Sequence, residues 1–450
     1  MAATQGTRWQ NWSGSVKAQP RQVVMPGSIN ELKQRVAVYA RDGRHVRVVG
    51  SGHSFTPLVQ SDDVLISLDN LQGIQSIDAE SGIVSVLGGT KLKLLGETLL
   101  THGLAQENLG DIDVQSIAGA ISTGTHGTGI SFGSLATQIE GMTLVTADGE
   151  LLECSPEQHP DIFKAAQVSL GTLGVIASVK LRVVPAKVLY YQGLRKKLGD
   201  CLDHLEQYKQ ENAHFEFFWF PYTAWVQAKF INPTGEPPGK NTLWGTLNRI
   251  VLENWVYGSM CAMSRAMPGL AKSVCKISGN SIANVDEINY SHRLFCTPRM
   301  VRFQEMEYNI PAEHTRAVIT EIQQCIAQHQ FAVNFPLECR FVHSDDIWLS
   351  PAYQRESAYI AVHMYRGMPY QSYFSHIEEI FKRYQGRPHW GKMHTRTAQE
   401  LAALYPHWHD FRRIRASLDS HGMFLNDYLR ALFDADAPVP EAAGDEEART

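Results

Sequence analysis

The chain has little that would tie it to nucleic acid, to a membrane or to a disulfide frame. Its 41 Lys and Arg are outnumbered by 46 Asp and Glu, for a formal charge of −5. No basic excess therefore offers a partner for a phosphate backbone or an acidic membrane surface. The seven cysteines are scattered, odd in number and free of C-x-x-C spacing, which predicts free thiols in a reducing compartment. No run reaches the roughly 18 apolar residues of a spanning helix, and the start, MAATQGTRWQNWSGS, lacks a signal peptide's charged end and apolar stretch. The expectation is a soluble, cytoplasmic protein. Neither a G-x-G-x-x-G turn nor a Walker lysine is present, so the nicotinamide Rossmann unit and the P-loop are excluded. His407 and His409 have no matching third ligand, so no metal is predicted. No internal repeat is visible.

What is there is a globular composition, 44% apolar and 19% charged over 450 residues, enough for two or three domains. An apolar strand runs into Gly50-Ser51-Gly52 and stops at His53 (VRVVGSGHSF, 46–55), where glycine lets another molecule lie against the main chain. A second stretch, SIAGAISTGTHGTG (116–129), holds four glycines and five Ser or Thr hydroxyls. Consecutive backbone N–H groups in such turns make anion-binding hollows suited to a pyrophosphate. Around them the pattern predicts a helix capped at Ser28 or Asn30 with Leu32, Val36 and Tyr39 on one face, a helix over 90–102 closed by Gly103, and a hairpin turning at Asp148-Gly149. A helix is expected to end near Leu170, followed by a long strand and a domain boundary near Pro185. Aromatics then crowd together (HFEFFWFPYTAWVQAKF, 214–230). Loops are expected over 233–241 and 278–289, antiparallel strands facing a pocket over 330–366, and helix over 406–433. The acidic, Pro/Ala-rich tail from Asp434 predicts disorder.

VVGSGHSF, SIAGAISTGTHGTG and SLGTLGVIASVKLRVVP together resemble the FAD-binding domain of vanillyl-alcohol-oxidase-type flavoproteins. ECRF (338–341), WLSPAY (348–353), VHMYRGM (362–368) and RPHWGKMH (387–394) resemble the aldonolactone oxidase and alditol oxidase branch. The resemblance implies an α+β, two-domain FAD-binding (PCMH-type) fold. Residues 1–185 would bind FAD, 186–395 would form an antiparallel-sheet substrate (cap) domain, 396–433 would return to the FAD domain, and 434–450 would be the tail. It implies a bond from His53 to the flavin, consistent with a neutral imidazole's nucleophilicity. The expected FAD contacts are Gly50, Ser51, Gly52, Ser54, Ser116, Gly119, Ser122, Gly124, Thr125, Gly127, Gly174 and Ile176, with His126 as a hydrogen-bonding turn residue.

Glu338 and Arg340 alternate with apolar residues, so on a strand they share a face. The resemblance turns that face toward flavin and sugar, adds Lys392 near the flavin, and makes His363 a substrate contact. It implies oxidation of a sugar-1,4-lactone by a dioxygen-using enzyme that forms hydrogen peroxide. Gly110 would leave dioxygen space beside the flavin. Asp111 and Tyr365 stand where alditol oxidases carry serine and threonine, which argues against an open-chain polyol. The rivals are an alditol oxidase, a dehydrogenase with another acceptor, and a flavin-free binding protein.

Overall fold

A computed structural model describes residues 8–239, 257–296 and 301–434. Short valine-rich runs make three parallel strands, β1 (Gln22–Val24), β2 (Val46–Val49) and β3 (Val64–Ser67), in the order β1-β3-β2. Parallel neighbours need a crossover, and α1 (Ile29–Arg41) supplies the one from β1 to β2. Ser28 caps it, accepting from the Glu31 N–H at 3.1 Å, and Leu32, Val36 and Tyr39 are buried along one face.

A second, antiparallel sheet joins β4 (Ile74–Asp78), β5 (Ile83–Leu87), β6 (Ile139–Val145), β7 (Leu151–Cys154) and β8 (Val175–Arg182) in the order β7-β6-β8-β5-β4. The hairpin from β6 to β7 turns at Asp148-Gly149, where Gly149 takes φ 82. Between these strands lie α2 (Leu92–Thr101) and α3 (Ile117–Ser122).

The second half is dominated by eight antiparallel strands. They are β9 (Val188–Lys197), β10 (His214–Trp219), β11 (Trp225–Pro233), β12 (Val285–Tyr290), β13 (Phe303–Pro311), β14 (Leu337–Val342), β15 (Ser357–Tyr365) and β16 (Arg387–Pro388), in the order β12-β9-β11-β10-β14-β15-β13-β16. Side chains alternate across a sheet. Phe215, Phe217, Met306, Cys339, Phe341 and Ile360 face α5 (Thr315–His329) and α6 (Gln371–Arg383), counting α4 as Ala271–Asn280. The intervening residues, Glu216, Glu305, Glu307, Glu338, Arg340 and His363, are buried on the opposite face.

The loop expected at 278–289 is corrected by this sheet. α4 runs to Asn280, and β12 is an edge strand hydrogen-bonded to β9. Its charged VDEINY sequence reads as loop because an edge strand keeps much of its surface in solvent. The last helices, α7 (Ala398–Leu404), α8 (Trp408–Leu418) and α9 (Asp427–Phe433), bury Tyr405, Trp408, Phe411 and Phe433 in one core with Leu95, Ile117, Leu144 and Phe163. The end of the chain thus packs on its first half. The expected disordered tail, beyond Asp434, lies outside the described residues, as do Lys240 and Asn241 of the expected 233–241 loop.

Candidate active site

A cleft opens where β2 ends. It is lined by Gly50, Ser51, Gly52, His53, Ser54, Ser116, Gly119, Ser122, Gly174 and Ile176 among others. Missing side chains shape it: a methyl at Gly50 would run into Ser116 Oγ, and Gly52 takes φ 65. Ser116 in turn caps α3, accepting from the Gly119 N–H at 3.4 Å. Beneath the cleft, buried Arg47 donates to the Leu58, Leu170 and Gly171 carbonyls at 2.8, 2.7 and 3.0 Å and to the Phe424 carbonyl. Burial lowers its pKa to about 9. Lys91 reaches Ser51 at 3.0 Å and Asp69 at 2.8 Å.

A backbone-walled trough with cations below and beside it fits an elongated, anionic cofactor such as FAD. At its end the His53 ring stacks on Trp12, 5.3 Å between ring centres. Burial, then the fields of Lys392 and Lys91, lower its pKa to about 4, so the ring is neutral near pH 7 and keeps a nucleophilic lone pair.

The second glycine stretch divides. Gly124, Thr125, His126 and Gly127 are not among the residues that line this cleft. Gly127 is a close-packing residue, since a methyl there would meet Asn108 Oδ1 at 2.6 Å. His126 points away, its Nδ1 on the Gly127 carbonyl at 2.9 Å and its Nε2 on Glu307 at 3.3 Å.

Past His53 the polar face of the large sheet begins. Arg340 sits among three carboxylates: Asp111 at 3.3 Å, Glu216 at 2.8 Å, and Glu338 in direct contact. Lys229 reaches Glu216 at 2.8 Å from the neighbouring strand. Burial opposes the charge on Arg340, but Glu338, Asp111 and Glu216 outweigh it and hold its pKa well above the ordinary value. Burial likewise opposes the Glu216 carboxylate, yet Lys229 and Arg340 bring its pKa down to about 2.

A second cluster adjoins. Lys392 Nζ lies 2.5 Å from Glu305, whose other oxygen is 3.4 Å from His363 Nε2. His363 Nδ1 donates to the Pro336 carbonyl at 3.1 Å. The loop carrying Lys392 is stitched to both halves. Its Gly391 carbonyl accepts from the Phe55 N–H at 2.7 Å, and its Trp390 carbonyl accepts from Thr56 Oγ1 at 3.0 Å. Its His389 and Met393 N–H groups donate to the Glu307 and Glu305 carbonyls at 3.0 Å each. Glu338, Arg340, His363 and Lys392 thus come together with His53.

Among the described residues one trio, His126, Glu307 and His389, brings potential metal-ligand atoms within 4.8 Å of one another. His389 Nδ1 accepts the Gly391 N–H at 3.0 Å, so its Nε2 carries the ring hydrogen and has no lone pair for a metal. The trio is built for hydrogen bonding.

Gly110 holds its carbonyl toward Cys296 Sγ, which donates at 3.4 Å. A methyl on Gly110 would lie 3.1 Å from the His126 carbonyl, so the neighbouring space is already bounded by main chain. Tyr365 packs beside the Phe55–Phe303 cluster.

Residues 20–155 match the FAD-binding domain family, and residues 179–432 match the family described as D-arabinono-1,4-lactone oxidase. The chain belongs to that lactone oxidase family. It is 41% identical to an L-gulono-1,4-lactone dehydrogenase of Mycobacterium tuberculosis, over 94% of this chain and 98% of that protein. It is 33% identical to the L-gulonolactone oxidase of Mus musculus, over 95% and 98%. An alditol oxidase of Streptomyces is 29% identical over 94% and 98%. In fold it is similar to cholesterol oxidase from B. sterolicum, with a TM-score of 0.82 at 19% identity over 96% of this chain and 97% of that one. The enzyme is an FAD-dependent oxidoreductase of the two-domain PCMH-type fold.

Sequence reasoning missed Glu216, Glu305 and Glu307 in this enzyme. Their signal was available: Glu216 is a lone acid in an aromatic run, and Glu305 and Glu307 alternate in FQEMEYNIP. A carboxylate at a buried strand position demands a partner.

Proposed function

We propose that the enzyme oxidises a sugar-1,4-lactone (L-gulono-, L-galactono- or D-arabinono-1,4-lactone) at a secondary alcohol carbon, giving an ascorbate-type enediol. FAD is bonded through His53, dioxygen is the acceptor, and the scattered cysteines suit a reducing cytoplasm. The observation that carries this reading is Arg340 held among Asp111, Glu216 and Glu338 on the buried face that ends at His53.

Arg340 offers its planar guanidinium to the lactone carbonyl. Glu338 accepts hydrogen bonds from ring hydroxyls, and His363, held between the Pro336 carbonyl and Glu305, offers its ring as a wall against the substrate. Lys392 places positive charge at the His53 end of the cleft. FAD, held by the glycine-walled cleft and His53, would supply the hydride-accepting chemistry and the route for two electrons to dioxygen, with hydrogen peroxide as the second product. Gly110, beside Asp111 and against the His126 carbonyl, keeps side-chain bulk out of the approach for dioxygen.

The test is a panel of the three lactones beside xylitol and sorbitol, with peroxide measured. Lactone turnover with stoichiometric peroxide is expected. Turnover of polyols alone would replace the lactone reading with an alditol oxidase. Slow reoxidation in air beside rapid dye reduction would make the enzyme a dehydrogenase, as the Mycobacterium tuberculosis relative is named. A colourless protein indifferent to added FAD would rule out the whole reading. Acid-precipitated protein should keep its flavin, and His53→Ala should release it; flavin still attached in that variant would move the bond elsewhere.

A further inference from the structure

We propose that Glu305 is a positioning residue: its carboxylate fixes the Lys392 ammonium and the His363 ring at the His53 end of the cofactor cleft. The inference rests on the proposed placement of Lys392 against the cofactor and extends it to a residue that touches neither cofactor nor substrate.

The geometry is that of a shared carboxylate. One Glu305 oxygen takes Lys392 at 2.5 Å and the other lies 3.4 Å from His363 Nε2, which donates to it when the ring carries both hydrogens, since Nδ1 donates to the Pro336 carbonyl. Glu305 and His363 are opposite each other in register on β13 and β15, so the strand pairing sets their separation. The same residue's main-chain carbonyl accepts from Met393, so β13 holds the Lys392 loop by backbone and side chain together. Nothing in this arrangement depends on a ligand.

A carboxylate here also has an electrostatic task. Lys392 is half-buried within reach of charged or titratable groups: Glu305 and Glu307 on β13, Asp111 before α3, His53 at the cleft, His363 on β15 and His389 in its own loop. Burial opposes the ammonium, yet Glu305, then Glu307, overcome it and raise its pKa. Glu307 has a second claim on it, the His126 contact at 3.3 Å. Glu305 is the carboxylate in contact with Lys392, so its loss would leave a desolvated ammonium that sheds its proton inside the working pH range.

The test uses the FAD-loaded full chain and sulfite as a probe, which bleaches oxidised flavin by adding to it as an anion and needs no substrate. The ratio of sulfite Kd between E305Q and wild type should change by about tenfold across an inflection between pH 6 and 10, as Lys392 loses its charge. E305D, which keeps the charge, should restore a flat ratio, and E305Q/K392M should remove the inflection. A flat ratio for a folded, FAD-loaded E305Q overturns the proposal. An inflection that survives in E305Q/K392M overturns the assignment to Lys392. If E305Q does not fold, K392M is the reciprocal variant. It strands the Glu305 carboxylate and should gain an inflection that E305Q/K392M lacks; its absence overturns the proposal. Sulfite affinity in K392M equal to wild type at every pH would remove Lys392 from the cofactor, and with it the placement on which the proposed function depends.

Discussion

The cleft and the charged face meet at His53, yet they are made of different materials. The cleft is shaped by main chain: Gly50 and Gly52 leave out side chains, and its lining comes largely from a few contiguous stretches. The face is made of side chains drawn from β10, β11, β13, β14, β15, the loop holding Asp111 and the loop holding Lys392. The first solves a problem of shape, the second one of charge. Buried ions are costly unless neutralised close by, and here Arg340, Lys229 and Lys392 each have a carboxylate within 3 Å or in direct contact. The face is therefore organised before any ligand arrives.

The sharpest way to separate the two regions is Arg340→Met. Losing one charge-stabilising donor costs about 3–4 kcal/mol of barrier. Flavin reduction by lactone should fall by roughly two to three orders of magnitude while FAD content stays near one per chain. The variant also leaves Asp111, Glu216 and Glu338 converging without their shared cation, which should cost about 3–5 kcal/mol in a urea titration. Reduction near the wild-type rate would return Arg340 to a structural ion network. Loss of FAD in step with loss of rate would show that the regions are not separable.

This difference in material also decides what was legible. Gly50-Ser51-Gly52-His53 and SIAGAISTGTHGTG announce the cleft because backbone freedom is written in consecutive residues. The Ser28 cap and the α1 face were equally local. The face is assembled by strand pairing, which sequence spacing does not encode. Glu338 and Arg340 stood out only because they share one strand. Glu216 stands 124 residues from Arg340 in the chain yet is its cross-strand neighbour. Glu305 was hidden for the same reason. His126, inside a legible motif, bonds the Gly127 carbonyl within its turn and also reaches Glu307 on the sheet, a partner that local spacing does not show.

Acid should strain the charged face together with the His53 end of the cleft, where burial also lowers the ring's pKa to about 4. Burial lowers His389 to about 3 and His394 to about 4, whereas the unfolded chain takes up these protons near pH 6.5. Between those values the unfolded state binds more protons, so stability falls as pH falls below 6.5. Glu216 and Glu305, both held at about 2 despite burial, add to this from about pH 4.5 downward, where the unfolded chain protonates first. Urea midpoints taken from pH 7 to pH 5 should drop by an amount worth on the order of 2–3 kcal/mol. His394→Asn should flatten part of that slope. A pH-independent midpoint over this range would mean that the buried rings are compensated on protonation.

The smallest expected effect tests the cleft alone. A methyl on Gly50 would collide with Ser116 Oγ, a single rotatable oxygen and not main chain. The collision is relieved if Ser116 turns away, but Ser116 then gives up the Gly119 N–H at the start of α3. Losing a serine cap costs about 1 kcal/mol, which is roughly fivefold in affinity. In a His53→Ala background, where flavin is free to exchange, Gly50→Ala should weaken FAD binding by about that factor, and Ser116→Ala should do the same. The double variant should be no worse than Ser116→Ala, because the second change removes the obstacle met by the first, and contacting residues of this kind are not additive. FAD fluorescence titration measures all three. Fully additive losses would show that the methyl meets the cofactor itself at Gly50. The rate of flavin reduction in the FAD-saturated variants should stay within about twofold of the His53→Ala parent, since no charge on the sheet face has moved.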